Sequence, residues 1–420
     1  MDSPKRTCSR TRSAKADKTV RGAKQIVVPM DRVTYDRIWN DAAAVRAFLT
    51  ELLRSHPELF PAGMDQGFEL TGHLPESRKL PGVRLRQLRL SDRQVFTLRP
   101  SFVFPYMTGF TDDLASPLLL LSCGVPIWLI THVFGRNDMF WNRSVERLGC
   151  NSLVGTTVRI PKELPPHLAA DEHHTHWCGT KGYVAMTAGG GCILGVALTP
   201  TADEEQLTNA YEVFRDEAQD VDPTYKPKTV NTDGWQATQN AWIRMFTGIV
   251  IVLCFLHGFL KIRDRCRKCH DLHRRIWDIF RGTTAGEFLE RMTAWCVWWK
   301  EQTFTGPVRE VLGKLDAHKD EYARAYENVG CHRTSNMVDR LMNRLYRLLY
   351  AGRGLHGHQK SSELRLRGWA LLLNFRPFAP RGSRPREHQS PAHRLNGKKY
   401  HDHWLHNLQI SASMGGFRHT

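Results

Sequence analysis

The chain has 420 residues, 41% of them apolar and 10% aromatic, a composition that excludes a wholly disordered protein and allows two or three packed domains. Its formal charge is +17 and its isoelectric point about 9.6, so a polyanionic partner is expected, nucleic acid first and an anionic membrane surface second.

The charge is concentrated at the ends. Residues 1–24 carry eight Lys/Arg against two acids, and residues 376–420 do the same, net +6 each. Two readings fit the spans 1–25 and 376–420: solvated, disordered tails, or basic arms lying along phosphates, whose binding would weaken with salt. No apolar run follows the N-terminal charges, so no signal peptide is expected. The most apolar stretch, residues 248–260, is 13 long, short of the roughly 20 needed to cross a bilayer. No membrane partner and a cytoplasmic, nucleoid-associated location follow as expectations. Ten scattered cysteines do not suggest a disulfide framework, which fits a reducing compartment.

In chain order, residues 31–60 have helical period, with apolar Val45, Phe48, Leu49, Leu52 and Leu53. Gly- and Pro-rich irregular sequence follows to about residue 112. Residues 112–149 then divide into three short helices punctuated by Gly124 and Gly135. Pro126 stands at a helix start, and Asn137 or Asp138 caps the third segment. This is the pattern of a helix-turn-helix module inside a mostly helical domain, residues 26–160. Its third segment offers Arg136, Asn142, Arg143 and Arg147, residue types that read base edges and phosphates. A plain helical bundle with a basic surface is the alternative.

From about residue 161 the period changes from 3.6 to 2. Strands are predicted over residues 167–174, 182–188 and 192–199, the last two joined by the hairpin turn Gly189-Gly190-Gly191. Thr201 and Glu204 make a capping box for the next helix. A strand ending at Asp233, a helix, and an apolar strand near residues 249–256 follow. Strand, strand, strand, helix, strand, helix, strand is the element order of an RNase H-like α/β core. That domain would span residues 161–375, with a helical insertion over 262–330. The helix beginning near residue 335 has one apolar stripe, Val338, Leu341, Met342, Leu345, Leu348 and Leu349, with Asp339 at its edge.

Three acids thus fall on separate elements of one core: Asp171, Asp233 and Asp339. In this strand order the first and fourth strands are neighbours, so Asp171 and Asp233 can converge, and a helix over the sheet can bring Asp339 to them. Clustered carboxylates repel unless cations are bound. Two Mg2+ or Mn2+ ions there would suit phosphodiester chemistry. Taken singly, each Asp also fits a cap or a solvated turn. Glu172, Asp203 and Asp216 are alternatives.

The blocks "LAADEHHTH…GYVAMTAGGGCILGVALT", "VNTDGWQATQNAW…FLHGFLKIRDR" and "RTSNMVDRLMNRLYRLL" together resemble bacterial insertion-sequence transposases of the DDE/DDD superfamily, over about residues 165–375. Cys254 and His257 match a C-x-x-H signature of several such families. The resemblance implies that Asp171, Asp233 and Asp339 are catalytic metal ligands supported by Cys254 and His257. It implies binding of terminal inverted repeats, metal-dependent DNA cleavage and strand transfer, and a homodimer or higher oligomer on double-stranded DNA. The third acid is Glu in most of these enzymes and Asp339 here, which leaves Glu321 and Glu327 open as alternatives. An RNase H-like nuclease without strand transfer, and an inactive transposase-derived DNA-binding protein, are the rival functions.

Cys266, Cys269, His270 and His273 have zinc-like spacing but crowd four ligands into eight residues, and helix-surface residues without metal are expected instead. Adventitious metal binding suffices for His401, His403 and His406.

Overall fold

A computed structural model describes residues 24–352, 354–379 and 389–417, with Met107 described by its backbone alone. The chain is mixed α/β with two sheets. Nearly all of the N-terminal basic end, residues 1–23, and residues 380–388 and 418–420 of the C-terminal one lie outside the described residues.

The first sheet holds β1 (Gln25–Val28), β2 (Phe68–His73), β3 (Arg86–Leu90) and β4 (Val95–Pro100), in the order β1-β4-β3-β2. β1 runs parallel to β4, and the other pairs are antiparallel. Three of these strands occupy the stretch expected to be irregular, before residue 112. The strands hide behind charge: Leu88, Phe96 and Leu98 point inward beside the buried cations Arg86 and Arg99. Two helices, Arg32–Ile38 and Ala42–Ser55, cover the sheet, and the Asp41 side chain caps the second.

The three helices expected next are present, at Thr111–Ser122, Ile127–Phe134 and Asp138–Gly149. The Asn137 side chain caps the third by accepting from the Phe140 N–H. That helix packs on Gln359–Phe375 at very close range. A Cβ on Gly149 would lie 1.8 Å from the Leu364 carbonyl oxygen, and one on Gly368 2.1 Å from that of Val145.

The second sheet holds β5 (His167–Trp177), β6 (Thr180–Gly189), β7 (Cys192–Thr199), β8 (Thr229–Thr232) and β9 (Val250–Leu253), in the order β7-β6-β5-β8-β9. The first three form an antiparallel meander, and β8 and β9 run parallel to β5. Parallel pairing requires crossovers, supplied by helices Glu204–Val221 and Gln236–Met245. β7 is buried along its whole length, because helices cover both of its faces. The predicted Thr201–Glu204 capping box does not form. Asp203 is the cap, and its side chain accepts from the Gln206 N–H.

The helical insertion begins at residue 255, directly after β9, rather than at 262. It comprises helices Phe255–Arg265, His270–Phe280, Ala285–Glu301, Gly306–Ala317 and Lys319–Glu327 around an aromatic core of their own. The chain then returns to the sheet through helix Asn336–Ala351, whose buried residues are the six of the predicted stripe.

Contrary to the expectation of a basic tail beyond residue 376, residues 389–417 fold. Helices Pro391–Asn396 and Trp404–Ser411 insert between the two sheet regions, and Leu405, Leu408 and Ile410 are fully buried. The buried guanidinium of Arg99 donates to the Gln409 side chain, and that of Arg159 to the Ser411 carbonyl. High His, Arg and Gly content conceals this apolar stretch. No helix among the described residues is long and apolar enough to cross a membrane.

Candidate active site

Period 2 along β5 separates its side chains between two layers. Leu168 and Ala170 pack with Tyr211 and Trp242, while Ala169 packs with Val338, Leu341 and Leu345. Asp171 therefore faces helix Asn336–Ala351, and Glu172 faces the opposite layer.

The parallel registers set the level of each residue. Ala169 stands opposite Asn231, and Asn231 opposite Val252. Carried two residues past the paired strands, this register brings Asp171, Asp233 and Cys254 to one level, and the Cys254 N–H, donating to the Thr232 carbonyl at 2.8 Å, continues the ladder between the last two. Asp233 sits in a turn as well: its carboxylate accepts from the Trp235 N–H at 2.9 Å, and Gly234 takes φ of 99°. The turn aims the residue rather than competing with a role for it.

Asp339 lies in the first turn of its helix. Ser335, only 1% exposed, donates its hydroxyl to the Asp339 carboxylate at 2.7 Å. Cys254 Sγ lies 3.2 Å from the same hydroxyl and accepts from the Ser335 N–H at 3.1 Å. His257 Nδ1 is 3.5 Å from that oxygen. Cys254 ends the strand and His257 is in the first turn of the following helix, so C-x-x-H spans a strand-to-helix junction. Together these contacts tie the end of β9 to the helix bearing Asp339.

The electrostatics agree with this placement. Burial pushes Asp171 up to about 7, with the charges of Glu172, Asp233 and Asp339 adding to the shift. Burial also pushes Glu172 up to about 6, opposed by hydrogen bonds from the Tyr211 hydroxyl and, at 2.7 Å, from Thr238. His257 rises to about 9, chiefly through its contact with Cys254 and further through Asp339 and Asp171. The oxygens of Asp171, Asp233 and Asp339 are not all within 4.8 Å of one another.

The alternatives for the third acid lie elsewhere. Glu321 stands 3.6 Å from His318, and Glu327 is exposed. Asp203 is a cap, and Asp216 is an exposed partner of Arg215. Glu172, named from sequence only as an alternative acid, lies next to Asp171 on the opposite layer, and Ser335 is a site residue that sequence reasoning does not place. Ser335 carries one faint signal, a helix-capping residue type four positions before Asp339.

The four residues expected to read DNA do not form one outward row. Arg136 and Arg143 are exposed. Arg147 is half-buried over the Tyr106 ring, and Asn142 donates to the Asp138 carbonyl of its own helix at 3.0 Å. A different basic row lies on the helix that carries Asp339, towards the Gly190–Gly191 turn. Arg340, Arg344 and Arg347 are exposed on the helix of Asp339, and with Arg376 they act on one another. In the insertion, Cys266 and Cys269 form a disulfide, and the rings of His270 and His273 lie 6.3 Å apart. No family model matches this sequence, and no curated protein matches it.

Proposed function

We propose that this chain is a transposase of the DDE/DDD type with an RNase H-like core, which cuts DNA at transposon ends and joins them to a target. One observation carries the reading: adjacent parallel strands present Asp171 and Asp233 at one level, and a helix crossing the sheet brings Asp339 to the same acids. A structural role alone gives no reason to crowd these charges, since each raises the cost of ionising Asp171.

The donor set fits a hard divalent cation, being all carboxylate oxygen, and Asp171, Asp233 and Asp339 would hold Mg2+ or Mn2+. Bound there, such ions supply an activated water or 3′-hydroxyl and neutralise charge during in-line displacement at phosphorus. The chain's own residues do the positioning. Ser335, held by Cys254, fixes the rotamer of Asp339. Tyr211 and Thr238 hold Glu172 on the far layer by hydrogen bonds to its carboxylate, while its charge still acts on Asp171. His257, cationic near neutrality, offsets part of their charge. Arg340, Arg344 and Arg347 offer a phosphate-binding face along the helix that carries Asp339. The three-helix module would contact the terminal repeats through Arg136 and Arg143. Two transposon ends require at least two copies of the chain.

The test uses purified protein, Mn2+ or Mg2+, and DNA carrying the repeats that flank the coding region. Wild type should cleave and join, and Asp171→Asn, Asp233→Asn and Asp339→Asn should each abolish both while still binding DNA. Cleavage without joining of a pre-cut end means a nuclease. Binding without metal-dependent cleavage by the wild type leaves a DNA-binding protein and ends the enzyme reading.

A further inference from the structure

We propose that Asp112, His403 and His406 form a separate structural site for a transition-metal cation, Zn2+ by preference, which clips the C-terminal helix to the three-helix module. The proposal does not depend on the function proposed above. Asp112 lies in the first turn of helix Thr111–Ser122, and His403 is the N-cap of helix Trp404–Ser411, with His406 three residues on. One ligand atom from each of the three lies within 4.8 Å of the others, and no other such group of three occurs among the described residues. His406 Nε2 is 3.1 Å from an Asp112 oxygen, close to the ligand spacing of about 3.3 Å that tetrahedral Zn2+ with bonds near 2.0–2.1 Å imposes.

Two further observations favour a cation over a plain Asp–His hydrogen bond. His403 Nδ1 is shut off from solvent and has no hydrogen-bond partner among the described residues, a state that costs about 1–3 kcal/mol if nothing answers it. The second nitrogen of His406 is engaged from behind, with Nδ1 3.0 Å from the Ser101 hydroxyl, an outer-shell contact typical of metal-bound imidazole. Ser101 is 0% exposed, so Ser101, His406 and Asp112 are not a hydrolytic triad. The Asp112 side chain is 72% exposed and leaves an entry path. His401 stacks on His406 at 4.4 Å and its Nδ1 accepts from the His403 N–H, which steadies both imidazoles, and water can complete the coordination. Two imidazoles and a carboxylate select a borderline metal over Mg2+.

The experiment strips full-length protein with chelator and titrates it with Co2+ alone. Wild type should take up one equivalent with the intense visible bands of tetrahedral cobalt. Asp171→Asn should keep them, and the half-exposed His403→Gln should lose them. Affinity should fall more than the roughly 10–100-fold that loss of an outer-shell partner costs. Wild type without tetrahedral bands overturns the proposal. So do bands that survive in both His403→Gln and Asp112→Asn, which would place the ion elsewhere, at the cysteines if sulfur-to-cobalt charge transfer accompanies them.

Discussion

Asp171→Asn removes one charge from a crowd of carboxylates, and metal-free protein should become more stable for it. Burial and the neighbouring acids raise Asp171 from 3.8 to about 7. An acid whose folded pKa exceeds its unfolded one favours the folded state while protonated. Its contribution is therefore intact below about pH 3.8 and is lost as pH rises to about 7. At about 1.4 kcal/mol per unit, the full penalty at pH 8 is about 4 kcal/mol at most. Asn still buries a polar amide in place of the carboxyl, so removing the charge recovers only part of it, about 1–3 kcal/mol. With an unfolding entropy of about 2 cal/mol/K per residue, 420 residues give about 1 °C per kcal/mol. Calorimetry in EDTA at pH 8 should thus show Asp171→Asn melting about 1–3 °C above wild type, with the gap closing at pH 5. Mn2+ at 100 times its Kd should add about 2.7 kcal/mol to wild type, and far less to the variant. A variant that melts below wild type at pH 8, or gains as much from Mn2+, refutes the claim that these acids are crowded to hold cations.

Gly368→Ala puts a methyl 2.1 Å from the Val145 carbonyl, and separating the two helices should cost about 1–3 kcal/mol, read as a lower urea midpoint at unchanged slope; an unmoved midpoint would show that the helices are loosely packed there. Ser335→Ala frees the Asp339 carboxylate, so Mn2+ affinity should fall about 10–100-fold at constant DNA affinity. Ser335→Thr, which keeps the hydroxyl, should recover much of that loss, and failure to do so argues for a packing role. Replacing Arg340 and Arg344 by Ala should lower the slope of log affinity against log salt by about 0.9 for each phosphate no longer neutralised, measured by DNA binding in a salt series; an unchanged slope places the phosphates elsewhere.

How much of this is legible in the sequence depends on where the determining interaction lies. The α/β core is readable because its signals are local: period 2 in Ala169-Ala170-Asp171, a Gly-rich hairpin at 189–191, and a stripe from Val338 to Leu349 at helical spacing. The expected order of strands and helices also implies the level pairing of Asp171 with Asp233, since neighbouring parallel strands leave little else open. What cannot be read depends on partners far away in the chain. The first sheet looks irregular because Arg86 and Arg99 occupy inward positions, and their burial is explained only by acceptors elsewhere, including Gln409 more than 300 residues on. The C-terminal stretch looks like a tail for the converse reason. Its His, Gln and Ser residues are polar by type, yet His406, Gln409 and Ser411 are buried where Ser101, Arg99 and Arg159 offer them bonds. Ser335 shows the same limit on a smaller scale. Its residue type announces a helix start, but only the register of β9 reveals that Cys254 stands beneath it and turns a cap into a support for Asp339. Polar residues whose partners are distant are thus the ones that both escape sequence reasoning and hold this site in place.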